Sequence, residues 1–323
     1  MYRAREMMFG FRDQFSYSEC SACGSVQIDE VPTDLARYYP TQYYSFAPAN
    51  LPNQPDGYIG KLRARARRLR DSSAALGNGI SGKLLYSIFP DPQWRNSLRT
   101  LFRDTFPPEG PRPLGITAKS RILDVGCGSG ALLLLLAGVG FRTVVGVDPY
   151  IRSDISYHNG VRILKCSIHE VDGVWDVIMF HHSFEHLPDP LESLQSASRL
   201  LSENGLCLIR TPTVSSDAWD HYRAQWVQLD PPRHLLLQSV RSMRLLATQA
   251  GLRIERVVYD STGFQFWGSE QYLRDIPLVS DHSYRTNPKH SIFTEAELND
   301  FEGRARVLNA QERGDQAAFY LRK

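Results

Sequence analysis

The chain has 323 residues, 42% of them hydrophobic, which is enough for one main core with attachments. With 37 basic and 35 acidic residues, its net charge of +2 offers no overall field for nucleic acid or an anionic membrane. No nucleic-acid partner is expected on that ground, and any such partner would have to use a local patch.

From the start of the chain, Arg3, Arg5, Glu6, Arg12, Asp13 and Glu19 exclude an apolar signal-peptide core. The longest apolar stretch, 131–141, is too short to cross a bilayer, so no membrane span is expected. The five cysteines are odd in number and mostly isolated, which argues against a disulfide framework and for a reducing, cytoplasmic setting. Five segments are expected: a cysteine-pair and aromatic module over 1–50, a helical segment and linker over 51–117, a core over 118–259, an insertion over 260–314 and a last strand over 315–323. The first holds Cys20-Ser-Ala-Cys23 and aromatics between Tyr38 and Phe46; the second holds six basic residues between Lys61 and Arg70 and ends in a proline-rich stretch.

From Arg121 onward, short runs rich in Val, Ile and Leu alternate with helical periodicity. Strands are expected at 121–125, 143–148, 161–166, 175–180, 205–211, 252–259 and 316–321. Helical spacing of Leu191, Leu194, Ala197 and Leu201 places a helix before the fifth strand. Ser239 is placed to cap another, which Gly251 would end. Such alternation predicts an α/β fold whose mostly parallel sheet is covered on both faces.

The segment Asp124-Val-Gly126-Cys-Gly128-Ser-Gly130 is a strand running into a glycine turn and then a helix. Such a turn lets a ligand approach the backbone closely, and the helix start suits an anionic group. The glycines also fit the dinucleotide pattern, with Asp148 at a plausible distance for a ribose carboxylate, so they leave a nicotinamide-dependent oxidoreductase open.

Four places in order resemble the class I S-adenosylmethionine-dependent methyltransferases: Asp124 before the glycines, Val-Gly-Val-Asp148, the segment Trp175–Pro190, and the segment Leu200–Pro212. The overall likeness is to bacterial members linked to cell-surface saccharides and specialised metabolites. The resemblance implies a doubly wound, Rossmann-like sheet of seven strands with the last reversed, and S-adenosylmethionine as cofactor. It assigns Gly126, Gly128 and the helix start to the methionine end, Asp124 and Gly130 to the cofactor site beside them, Asp148 to both ribose hydroxyls, Ser167 and Ile168 to the adenine edge, and Phe180 and His181 to the methyl-bearing side. A cofactor-binding protein without turnover is the remaining alternative.

In His181-His182-Ser-Phe-Glu185-His186, at the carboxyl end of the fourth strand, a histidine is suited to act as general base. His182 and His186 are the first choices, with Glu185 beside them. His182-x-x-Glu185-His186 with a distant His234 also resembles a divalent-metal arrangement of certain ubiquinone-pathway and small-RNA 2′-O-methyltransferases. Here His182 stands where those families carry a carboxylate, and no metal is expected.

The Cys20/Cys23 pair resembles half of a zinc ribbon. Tetrahedral structural zinc needs four ligands, so either the module is degenerate or the start lies upstream, and no stoichiometric zinc is expected. The run 61–70 reads as a solvated helix. The stretch 260–272, with amides, Trp267 and Glu270, is a candidate cap over a polar, ring-shaped acceptor. The expected reaction is methyl transfer to O or N of a small polar molecule, a saccharide or a related metabolite.

Overall fold

The computed structural model describes residues 1–40, 45, 65–66 and 114–323. The proline-rich linker and, except for Arg65 and Ala66, the basic run lie outside them. In chain order the strands begin with β1 (Tyr2–Arg5), β2 (Gln14–Glu19), β3 (Val26–Ile28), β4 (Arg121–Val125), β5 (Thr143–Val147) and β6 (Ile155–Ser156). They continue with β7 (Arg162–Leu164), β8 (Trp175–His181), β9 (Leu201–Pro212), β10 (Leu236–Leu237), β11 (Arg253–Tyr259) and β12 (Gln316–Arg322). The α-helices are α1 (Ala131–Gly138), α2 (Pro190–Leu200), α3 (Asp217–Tyr222), α4 (Val240–Gln249), α5 (Phe264–Leu273) and α6 (Glu295–Ala310).

The chain divides into two compact units. The first comprises Met1–Pro40, His182–Gln195 and Ile209–Leu321; the second comprises Thr41–His181, Ser196–Leu208 and Arg322–Lys323. In the second unit the strand order is β9-β8-β4-β5-β7-β6. β4 pairs in parallel with β5 and β8, and β5 with β7, while β6 runs antiparallel to β7. The apolar runs explain this arrangement: Ile122, Leu123, Val177 and Ile178 are all fully buried, as strands covered on both faces require. All seven strands expected from the sequence are present. The two-residue β6 is an eighth, and it is too short to show periodicity.

In the same strand order β12 lies between β9 and β11. A separate four-stranded sheet has the order β1-β2-β3-β10. Its inward residues Ala4, Tyr17, Val26 and Ile28 pack with Trp219, Trp226, Leu237 and Phe266 in one core. Alternating strands this short cannot bury their apolar face alone. That explains why residues 1–40 join the C-terminal half, where the sequence suggested a module of their own. β10, which closes the sheet by pairing Leu237 with Val26, has only two residues.

Caps set the helix boundaries. Ser239 accepts from Ser242 N at 2.9 Å to start α4, as expected, and Gly251 follows its end with φ +72°. The stretch 260–314, expected as an insertion, holds α5 and α6. Thr294 and Glu297 form a capping box at the start of α6. That signal, Thr294-x-x-Glu297, was present in the sequence. No described helix is long and apolar enough to cross a membrane.

Candidate active site

The glycine turn belongs to the second unit. Gly126, Gly128 and Gly130 have φ of +74°, +54° and +80°. Gly128 N donates to Asp148 Oδ2 and Tyr150 N donates to Asp148 Oδ1, both at 2.9 Å. The Asp148 carboxylate is therefore ordered against the turn, and each oxygen keeps a further lone pair for a ligand hydroxyl. Burial raises its pKa, and the two N–H donors oppose that rise. Ser129 N donates to Ser45 O at 2.9 Å, so a chain carbonyl takes one of the turn's donors. A Cβ at Gly128 would strike that same carbonyl, so close backbone approach requires glycine here.

Asp124, 2% exposed at the end of β4, has no hydrogen-bond partner for Oδ1. Burial, with the Asp148 charge adding to it, pushes its carboxyl up to about 8. Of the remaining cofactor candidates, Ser167 N and Oγ both meet Glu170 Oε2 at 2.8 Å in a short capping turn. Ile168 and Phe180 are buried, and His181 is half-buried.

The acceptor-side candidates from His182 onward belong to the first unit. Glu185 sits in a 3₁₀ turn, Phe184–His186, and is 1% exposed. Its Oε2 accepts from Thr211 Oγ1 at 2.9 Å. Its Oε1 makes no hydrogen bond, although His182 Nδ1 lies 3.5 Å away and His234 Nε2 3.9 Å away. Burial raises the Glu185 pKa, but the His182, His234 and His186 rings outweigh it and hold the group well below the usual carboxylate range.

Two of the imidazoles are held by backbone carbonyls. His186 Nδ1 lies 2.8 Å from Arg233 O, and His234 Nδ1 lies 2.7 Å from Gln228 O. Carbonyls only accept, so each Nδ1 carries a proton, and in the neutral form of either ring Nε2 carries the lone pair. Burial first, then the neighbouring His234, lowers His186 to about 4, so it is neutral at pH 7. Glu185, His186 and His234 bring ligand-type atoms within 4.8 Å of one another. His182 stands outside that trio. Arg210 Nη1 donates to His182 Nε2 at 2.6 Å, which engages the lone pair a general base would use.

The comparisons with known proteins bear on these two sets of groups. A family model described as a methyltransferase domain matches residues 92–257, just over half of the chain. The chain belongs to the methyltransferase-domain family. Its cofactor is S-adenosylmethionine, and the nicotinamide alternative falls away. The chain is 26% identical over 144 residues to the tRNA U34 carboxymethyltransferase of Actinobacillus succinogenes, covering 41% of this chain and 43% of that one. It is 28% identical over 194 residues to the tRNA U34 carboxymethyltransferase of Methylococcus capsulatus, covering 54% and 55%. The chain thus spans about half the length of the curated relatives it matches. Among solved structures, it is similar to the cyclopropane synthase MmaA2 from Mycobacterium tuberculosis, with a TM-score of 0.42 and 16% identity over 66% of this chain and 82% of that one. It is also similar to the mycolic acid cyclopropane synthase CmaA1 complexed with SAH and CTAB, with a TM-score of 0.45 and 17% identity over 78% and 97%.

The methyltransferase turn fits such a cofactor at two points. Asp148 has spare lone pairs for a ribose, and Asp124 Oδ1 is a buried acceptor that a ligand donor would satisfy. The raised Asp124 pKa has a consequence for the ligand-free protein. Its folded value lies above the unfolded value of about 3.9, so its contribution to stability is complete below that pH and is lost as pH rises through about 8. The Tm of the wild type should fall more steeply between about pH 4 and pH 8 than that of Asp124→Asn, with the difference levelling off above about pH 8. Equal slopes would remove Asp124 as the source.

Sequence reading missed Arg210, Thr211 and Tyr39. Tyr39 Oη lies 3.3 Å from His186 Nδ1. Arg210 did leave a signal, a cation at the end of the apolar strand Leu-Cys-Leu-Ile, where burial demands a partner. In the expected cap, the half-buried Glu270 accepts from Tyr222 Oη at 3.0 Å, and the buried Gln271 donates to Ser283 Oγ at 3.0 Å. All five cysteines are free thiols, with Cys20 exposed and Cys23 half-buried in the β2–β3 turn.

Proposed function

We propose that the chain transfers the methyl group of S-adenosylmethionine to an oxygen or nitrogen of a small polar acceptor, a saccharide or a related metabolite. The observation that carries this reading is Asp148, a buried carboxylate ordered on the glycine turn with an oxygen for each ribose hydroxyl. When bound, the cofactor supplies an electrophilic methyl on a sulfonium that leaves as a neutral thioether.

The chain's own work is alignment and proton removal. Gly126, Gly128 and Gly130 shape the turn that cradles the methionine end. Ser167 and Ile168 are assigned to the adenine edge, and Phe180 and His181 to the approach of the methyl. Six residues after Phe180 along the chain, His186 keeps an Nε2 lone pair, and it is neutral at pH 7. We assign to His186 the acceptor's proton, and to Glu185 Oε1 and His234 Nε2 the hydrogen bonds that hold the acceptor. An RNA acceptor is the second reading, favoured by the names of the tRNA-modifying relatives.

Methyl-labelled S-adenosylmethionine, incubated with the protein and either nucleotide-linked sugars or unmodified bulk tRNA, separates the readings. Label in the sugar pool supports the first, and label in RNA replaces it with the second. Cofactor binding without release of S-adenosylhomocysteine in either mixture would count against turnover.

A further inference from the structure

Two features of the first unit stand apart from the roles assigned so far. His182 is a non-glycine residue with φ +53°, in the left-handed region. Such a conformation costs of the order of 1 kcal/mol or more and persists only where neighbouring contacts fix it. Two of its contacts lead to one residue. His182 N donates to Arg210 O at 2.9 Å, and Arg210 Nη1 donates to His182 Nε2 at 2.6 Å. Arg210 is itself clamped, because its Nε donates to Asp260 Oδ2 at 2.6 Å and both side chains are 9% exposed. Asp260 in turn accepts from Gln316 Nε2 at 2.8 Å.

We propose that Arg210, held by Asp260, is a positioning residue that locks His182 in the tautomer whose Nδ1–H faces Glu185. The inference rests on the reading of Glu185 as an acceptor-binding carboxylate. A guanidinium can only donate, so the nitrogen it meets must be the lone-pair nitrogen of the imidazole. The remaining proton is then on Nδ1, and that atom lies 3.5 Å from Glu185 Oε1. Without Arg210 both tautomers become available, and the one protonated on Nε2 would aim a lone pair at the buried carboxylate. Repulsion between the two would turn the ring or the carboxylate away. Arg210 thus keeps Glu185 Oε1 beside a donor and available to a substrate, without touching substrate itself.

The test reads the tautomer directly. In protein labelled with ¹⁵N-histidine, the His182 signals are assigned by comparison with His182→Gln. The wild type should show an unprotonated Nε2 and a protonated Nδ1. Arg210→Met leaves Asp260 buried without its cation and is exposed to misfolding, so the double variant Arg210→Met/Asp260→Asn is measured as well. In whichever variant stays folded, His182 should shift toward the Nε2–H form, while the His186 and His234 signals stay in place. With an active acceptor, kcat should fall roughly 10–100-fold, as small misplacements in a site do, with the KM for S-adenosylmethionine unchanged. A wild type already protonated on Nε2, or a folded variant with an unaltered His182 tautomer, would overturn the proposal. Both readouts concern the imidazole alone and stand whether or not the methyl-transfer reading holds.

Discussion

Arg233→Met should destabilise the protein by about 3–5 kcal/mol, the usual cost of removing one partner from a buried charge cluster. The Arg233 side chain is fully buried. Its Nη2 donates to Glu6 Oε1 at 2.8 Å and Asp230 Oδ1 at 2.6 Å, and its Nη1 donates to Tyr38 O at 3.1 Å. Burial raises the Asp230 pKa, but the Arg233 charge outweighs it and holds the carboxylate below its usual range. Methionine would replace the volume and leave both carboxylates without a cation. One guanidinium ties three segments far apart in sequence, at Glu6, Tyr38 and Asp230, so the loss should appear in global unfolding. Urea midpoints measure it. Adding Glu6→Gln and Asp230→Asn should recover much of the loss, because the neutral set no longer carries unpaired charge. A single-variant loss below about 1 kcal/mol, in the range of an exposed pair, would show that the cluster is not acting as a buried ion network.

His186→Ala should lower turnover by roughly a hundredfold or more, the usual contribution of a positioned general base. S-adenosylmethionine affinity should stay nearly intact, because the cofactor groups at Asp148 and the glycine turn are untouched. The imidazole is neutral, its Nδ1–H is fixed on Arg233 O at 2.8 Å, and its Nε2 lone pair is the part the reaction uses. Unchanged turnover on the true acceptor would remove His186 from the mechanism. Loss of turnover in the wild type on adding a chelator, restored by magnesium or manganese, would instead make Glu185, His186 and His234 a metal-holding set.

The sheet was legible because strands buried on both faces are written as continuous Val/Ile/Leu runs, as in β4 and β8. The glycine turn and Asp148 were legible because backbone geometry there restricts residue type. The four-stranded sheet was not, since β3 and β10 have only three and two residues and find their partners through long-range pairing. His182 illustrates the limit of motif reading. Its residue type suits a base, but Arg210, 28 positions away, decides which nitrogen carries the lone pair. No local pattern encodes that contact. Tyr39, likewise, reaches His186 across 147 positions.

The measurement that addresses the account most directly is calorimetric titration of the wild type and Asp148→Ala with S-adenosylmethionine, S-adenosylhomocysteine and NAD. Charge-assisted hydrogen bonds contribute roughly 1.5–3 kcal/mol net. Asp148→Ala should therefore weaken both adenosyl ligands by about ten- to a hundredfold, and to the same degree, because they share one ribose. The wild type should show no comparable affinity for NAD. Tight, Asp148-dependent binding of NAD with no detectable binding of S-adenosylmethionine would contradict the account at its centre.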